Sequence, residues 1–116
     1  MTLTARAILP GATIGFLGGG QLGRMAAMAA RSMGYDVRVL DPDPTCSAGP
    51  LASHTITAPW SDAAAAAELA RASDVVTLEI EQIPVPTLEA VAACAPLHPG
   101  AAVLHIVQDR ARQKEW

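Results

Sequence analysis

A chain of 116 residues, 51 % hydrophobic, 16 % charged and only 3 % aromatic, suits one domain around an aliphatic core and is marginal for two. A formal net charge of −3 excludes the basic stripe of a nucleic-acid binder. No stretch approaches the ~20 apolar residues of a membrane span and the first residues lack a signal-peptide pattern, so a cytoplasmic protein with no nucleic-acid or membrane partner is expected. Residues 1–10 read as a loose N-terminal extension. ATIGFLG (12–18) is a short apolar run ending in glycine, the pattern of a buried strand. QLGRMAAMAARSMG (21–34) changes to a helical period: Leu22, Met25, Ala26 and Ala29 share a face, Met33 continues it, and Gly34 sits where a helix wants a left-handed stop. YDVRVLD (35–41) alternates around Val37 and Val39 as a second strand, and PDPTCSAGP (42–50) is a loop by its turn chemistry.

HTITA (54–58) predicts a third strand, and Ser61 or Asp62 caps an alanine-rich helix running to about Ala72. DVVTLEIE (74–81) is β-branched and apolar, a fourth strand. Thr87 begins a helix to about Cys94, PLHPG (96–100) is a turn, and residues 101–116 read as helical with a break near Gln108. Strands alternating with helices imply right-handed crossovers and a mainly parallel sheet: an α/β, Rossmann-like fold with helices on both faces. Cys46 and Cys94 lie far apart and have no metal-type spacing; free buried thiols in a reducing compartment are expected. His54, His98 and His105 show neither metal spacing nor a paired nucleophile and read as structural. The low charge predicts some apolar surface that meets a partner or a further segment.

Three consecutive glycines stand where the first strand meets the first helix. Gly18, Gly20 and Gly23 fit G-x-G-x-x-G: one glycine for a tight turn, one for close approach of a phosphate, one for packing helix on strand. Free N–H groups at Gly20, Gln21 and Leu22, with the helix dipole behind them, favour a phosphate. Asp41 ends the second strand, where a dehydrogenase keeps the carboxylate for its adenosine ribose. The pattern alone therefore leaves an NAD-binding oxidoreductase domain open, and a non-catalytic nucleotide-binding module beside it. Gln21 and Arg24 speak against a dinucleotide, whose helix usually starts with small or apolar residues. Arg24 either adds charge at the ligand or belongs to a solvated helix face.

Three segments carry a resemblance to a known family. IGFLGGGQLGRMAAMAARSMGYDVRVLDPDP (14–44) is similar to the opening of the 5-(carboxyamino)imidazole ribonucleotide synthases of purine biosynthesis. DVVTLEIEQIP (74–84) resembles that family's D-V-x-T-x-E-x-E-x-x-P segment, and QDRARQKEW (108–116) its Q-D-R-x-x-x-K-E-[FW] segment, all in the family's order. The family often has aromatics at the positions of Leu78 and Ile80 and Asn at Gln82, mild departures that keep the carboxylates.

The resemblance implies an ATP-grasp ligase with an N-terminal pre-ATP-grasp domain, a lid and a large C-terminal domain, of which this chain corresponds to the first. Residues 1–10 would be an extension, 11–107 the substrate-binding domain and 108–116 the start of the connection to an ATP-grasp region. Such enzymes use ATP to activate bicarbonate as carboxyphosphate, then carboxylate the exocyclic amine of 5-aminoimidazole ribonucleotide, giving ADP and phosphate. Mg²⁺ is required, and its ligands are expected outside this chain, which would carry no catalytic or metal-binding residue and be inert by itself. Carried over by position, Gly19, Gly20, Gln21 and Leu22 would face the substrate's single phosphate, and Asp41 becomes a polar strand end. Glu79 and Glu81, two apart on a strand and so on one side of it, would lie near its carboxyl end and accept from the ribose or the amine. Arg110 would contact ATP, Lys114 would be solvated, and the family tends to form homodimers.

Overall fold

The computed structural model describes residues 11–78 and 82–99. The first apolar run forms β1 (Thr13–Leu17), which leads through the glycines into α1 (Gln21–Ser32). The helix stops at Gly34, whose φ of +92° belongs to glycine. There the Tyr35 N–H donates to the Ala30 carbonyl and the Gly34 N–H to the Arg31 carbonyl, the paired bonds of a left-handed helix end. The chain returns as β2 (Asp36–Asp41), passes a short 3₁₀ turn at Gly49–Leu51, and forms β3 (His54–Thr57). Of the two candidate caps for the alanine-rich helix, Asp62 serves: its side chain accepts from the Ala65 N–H at 3.0 Å and starts α2 (Ala63–Arg71). β4 (Val75–Leu78), α3 (Val85–Ala92) and β5 (Leu97–Pro99) follow.

Among the described residues all five strands are parallel, in the order β3-β2-β1-β4-β5. The order reverses direction between β1 and β4, so the crevice outside their carboxyl ends is the place where parallel α/β sheets take ligands. The opposite ends are tied by Asp74, whose carboxylate accepts from the Thr13 N–H at 2.7 Å while its own N–H donates to the Thr13 carbonyl at 2.8 Å. One sheet face presents Ile14, Phe16, Val37, Val39 and Val75 beneath α1. The other presents Leu17, Leu40 and Val76 to Ala66, Leu69 and Ala70 of α2 and Val91 of α3. Helices on both faces of a parallel sheet are the architecture that the alternation of elements predicts.

Four expectations are corrected. PLHPG is not only a turn: Leu97–Pro99 pair with β4 as a three-residue edge strand, a place that tolerates proline because the outer side of the ladder needs no N–H. The third helix starts at Val85, two residues early, with Pro84 as its cap residue and Pro86 in its first turn, where a missing N–H costs nothing. Thr87 lies inside the helix, where its hydroxyl donates to the Trp60 carbonyl at 2.8 Å and fastens α3 to the loop before α2. The largest correction concerns α1. Of the expected face, Leu22 and Met25 are 69 % and 59 % exposed while Ala26 and Met33 are partly buried against the core, and the fully buried positions are Gly23, Ala27 and Ala30. Small side chains let the helix backbone lie close to the sheet, so size rather than hydrophobicity selected the inner face. The thiols also divide: Cys46 is buried and Cys94 exposed, and both are free.

Candidate functional site

The glycine turn lies at the carboxyl end of β1, between the ends of β2 and β4. Gly18 has φ of +114°, a conformation that side chains resist, and its N–H donates to the Leu40 carbonyl at 2.9 Å. Gly19 is closed in on three sides. Its N–H donates to Asp41 Oδ2 at 2.9 Å, its carbonyl accepts from the Ala48 N–H at 2.8 Å, and a side chain there would meet Cys46 Sγ at 2.7 Å and Val39 Cγ1 at 2.9 Å. Gly20 is the cap residue of α1, with extended backbone and no side chain to satisfy the helix's first donors. Its carbonyl accepts from the Arg24 N–H at 2.8 Å. The N–H groups of Gly20, Gln21 and Leu22 have no hydrogen-bond partner among the described residues, and all three residues are exposed. A helix N-terminus with unpaired donors and no acid in its first turn is suited to an anion.

The loop after β2 folds back over this turn. Asp41 Oδ1 accepts from the Asp43 N–H at 2.8 Å, and Asp43 Oδ1 in turn accepts from the Thr45 N–H and hydroxyl, both at 2.8 Å. These bonds, the backbone one first, hold the exposed Asp43 carboxyl below its ordinary pKa. Arg24 Nη1 donates to the Ser47 carbonyl at 2.9 Å, so this cation of the first turn of α1 secures the loop. Cys46 fills the space beneath Gly19; burial, followed by the charge of Asp41, pushes its thiol up from the usual range.

The architecture now has a known counterpart. Residues 11–108 match the family model described as the ribonucleotide synthetase preATP-grasp domain. The chain belongs to this family. The Brucella melitensis N5-carboxyaminoimidazole ribonucleotide synthase is 48 % identical over 107 residues, which make up 92 % of this chain and 30 % of that enzyme. The Bacillus subtilis synthase is 41 % identical over 113 residues, 97 % of this chain and again 30 % of the relative. The chain thus spans under a third of the length of these relatives. Among solved structures, the Staphylococcus aureus N5-carboxyaminoimidazole synthetase complexed with ADP superposes with a TM-score of 0.75 at 37 % identity, covering 84 % of this chain and 26 % of that one. The Aspergillus clavatus synthase in complex with ADP and 5-aminoimidazole ribonucleotide gives 0.69 at 32 % identity, covering 91 % and 30 %.

Within this preATP-grasp domain, the structure brings Gly19, Gly20, Gln21 and Leu22 together at the crevice. Gly19 differs from the other three, because its N–H is already taken. Glu79, Glu81 and Arg110 lie outside the described residues. Asp41 is 9 % exposed with both carboxylate oxygens engaged, so it is a brace for the turn and the loop rather than a free acid awaiting a ribose. The sequence held part of that signal: D-P-D-P-T is the spacing of two successive Asx turns, each carboxylate reaching the N–H two residues on. The bond from Gly19 had no local signature, since it depends on β1 and β2 lying side by side.

Proposed function

We propose that this chain is the ribonucleotide-binding part of a longer ATP-dependent ligase, one that carboxylates 5-aminoimidazole ribonucleotide with bicarbonate in purine biosynthesis. In that reaction ATP phosphorylates bicarbonate, and the carboxyphosphate passes its carboxyl group to the exocyclic amine, with release of ADP and phosphate. The observation that carries the reading is the row of unpaired N–H groups at Gly20, Gln21 and Leu22, set at the reversal of the strand order. The names of the relatives supply the chemistry, and the Aspergillus clavatus complex supplies a family member holding both ADP and the ribonucleotide.

Each group has a defined task. The three backbone donors and the Gln21 amide bind the substrate's phosphate. Glu79 and Glu81 accept from its ribose or amine, and Arg110 reaches ATP at the junction that begins at residue 108. Residues 11–107 form the binding domain, and residues 1–10 extend it. Mg²⁺ would neutralise charge on the ATP phosphates. Its ligands are assigned, on the same reading, to the part of the ligase beyond this domain. On this reading the 116-residue chain has no catalytic residue and does not turn over by itself. No helix among the described residues is long and apolar enough to cross a membrane; a cytoplasmic location is part of the proposal. The dimeric habit of the family is carried over as part of the same reading.

A Gly20→Val substitution tests the phosphate site. It places a branched side chain where the phosphate must rest, so calorimetric titration with the ribonucleotide should show binding weakened at least about tenfold. Equal affinity for variant and parent would remove the phosphate from the glycine turn.

A further inference from the structure

We propose that Asp41 is the positioning residue of the phosphate turn: its carboxylate holds Gly19, and thereby presents the amides of Gly20, Gln21 and Leu22 to a single phosphate group. The proposal rests on the reading of the turn given above and adds the residue that sets it. The geometry is a chain of short bonds around one peptide. Asp41 Oδ2 accepts from Gly19 N–H at 2.9 Å, and Oδ1 accepts from Asp43 N–H at 2.8 Å. Through the same loop, Ala48 N–H donates to the Gly19 carbonyl at 2.8 Å. Gly19 is therefore fixed at both its polar groups, while Cys46 and Val39 leave no room for it to shift sideways.

Asp41 is 9 % exposed, and hydrogen bonds to an ionised acceptor in such a place are about twice as strong as neutral ones. Holding Gly19 orients the peptide that follows it, and the donors available to a ligand then begin at Gly20. Two consequences bear on specificity. The row of free donors is shortened by one, which suits one phosphate better than two. A negative charge also stands on the Gly19 side of the turn, where a second phosphate would meet repulsion. The acid that a dinucleotide-binding domain uses for ribose serves here to hold the turn.

Amide-resolved NMR titration of the chain with 5-aminoimidazole ribonucleotide tests this, using the parent, Asp41→Asn and Asp41→Ala. Asn keeps one acceptor and loses the charge; Ala loses both bonds. In the parent, the ligand should shift the amides of Gly20, Gln21 and Leu22 and leave that of Gly19 unchanged. The dissociation constant should rise about threefold in Asp41→Asn and about tenfold in Asp41→Ala. In Asp41→Ala the freed Gly19 amide should begin to respond to ligand, a change that general destabilisation does not produce. Equal affinity in all three proteins, with the expected shifts in the parent, overturns the role of Asp41 and leaves the phosphate site standing. Absence of shifts at Gly20–Leu22 in the parent at millimolar ligand overturns both. Loss of spectral dispersion throughout both variants makes Asp41 a residue of the fold at large and overturns the positioning role.

Discussion

Cys46 occupies the tightest corner of the glycine turn, and its chemistry follows from that place. Burial first, and the neighbouring Asp41 charge second, raise its pKa above the ordinary thiol value. The thiolate is the reactive form, so Cys46 should react slowly with a disulfide reagent at neutral pH, while exposed Cys94 reacts first. A raised folded value also fixes the sign of its linkage to stability. The contribution of the neutral thiol is fully present below the unfolded thiol's range and is lost as pH rises through the folded value. Urea midpoints followed into alkaline solution should therefore fall, and fall less in Cys46→Ala. A pH profile identical in the two proteins would contradict the account, as would reaction of both thiols at the same neutral-pH rate.

The element most instructive for reading sequence is α1. Its apolar residues recur at helical spacing on more than one face, and the periodicity of Leu22, Met25, Ala26 and Ala29 is only half right: Ala26 packs on the core while Leu22 and Met25 face solvent. The buried set of Gly23, Ala27 and Ala30 has the same spacing with smaller side chains. Two substitutions separate the faces. Ala27→Leu forces extra volume between helix and sheet and should cost roughly 1–3 kcal/mol. Met25→Gln changes a side chain already in water and should stay within about 0.5 kcal/mol. Urea denaturation of each measures the difference, and the reverse order would restore the apolar face as the inner one. Other elements were legible because their signals are local. Gly34 stops α1 through its own φ, Asp62 caps α2 through its own side chain, and the glycines sit at a strand–helix junction. β5 was hidden because three residues containing a proline gain strand character only by lying beside β4. The role of Asp41 was hidden likewise, for its partner Gly19 is distant in sequence and near only across the sheet.

At the scale of the whole molecule, β1 holds the two sides of the sheet together. It meets β2 through Thr13–Asp36 and the residues after them, a pairing closed over the short βα unit that carries α1. It meets β4 through Ile14–Val75, a pairing that spans most of the described chain. Loop closure makes the second the more costly step in chain entropy, and sets an order of events. The β1–α1–β2 unit can assemble while the rest of the chain is unstructured, and β4 with β5 must then arrive on the exposed flank of β1. Val39→Ala, inside the early unit, should mainly slow refolding, whereas Leu97→Ala on the last strand should mainly speed unfolding. Stopped-flow refolding and unfolding in urea checks both, and a folding rate lowered only by Leu97→Ala would invert the order. During synthesis, then, the turn proposed to bind phosphate can form on a half-built sheet, the bond from Gly19 to Asp41 included. The crevice wall supplied by β4 comes later, so a nascent chain should present the unpaired donors of Gly20, Gln21 and Leu22 before the crevice beside them is complete.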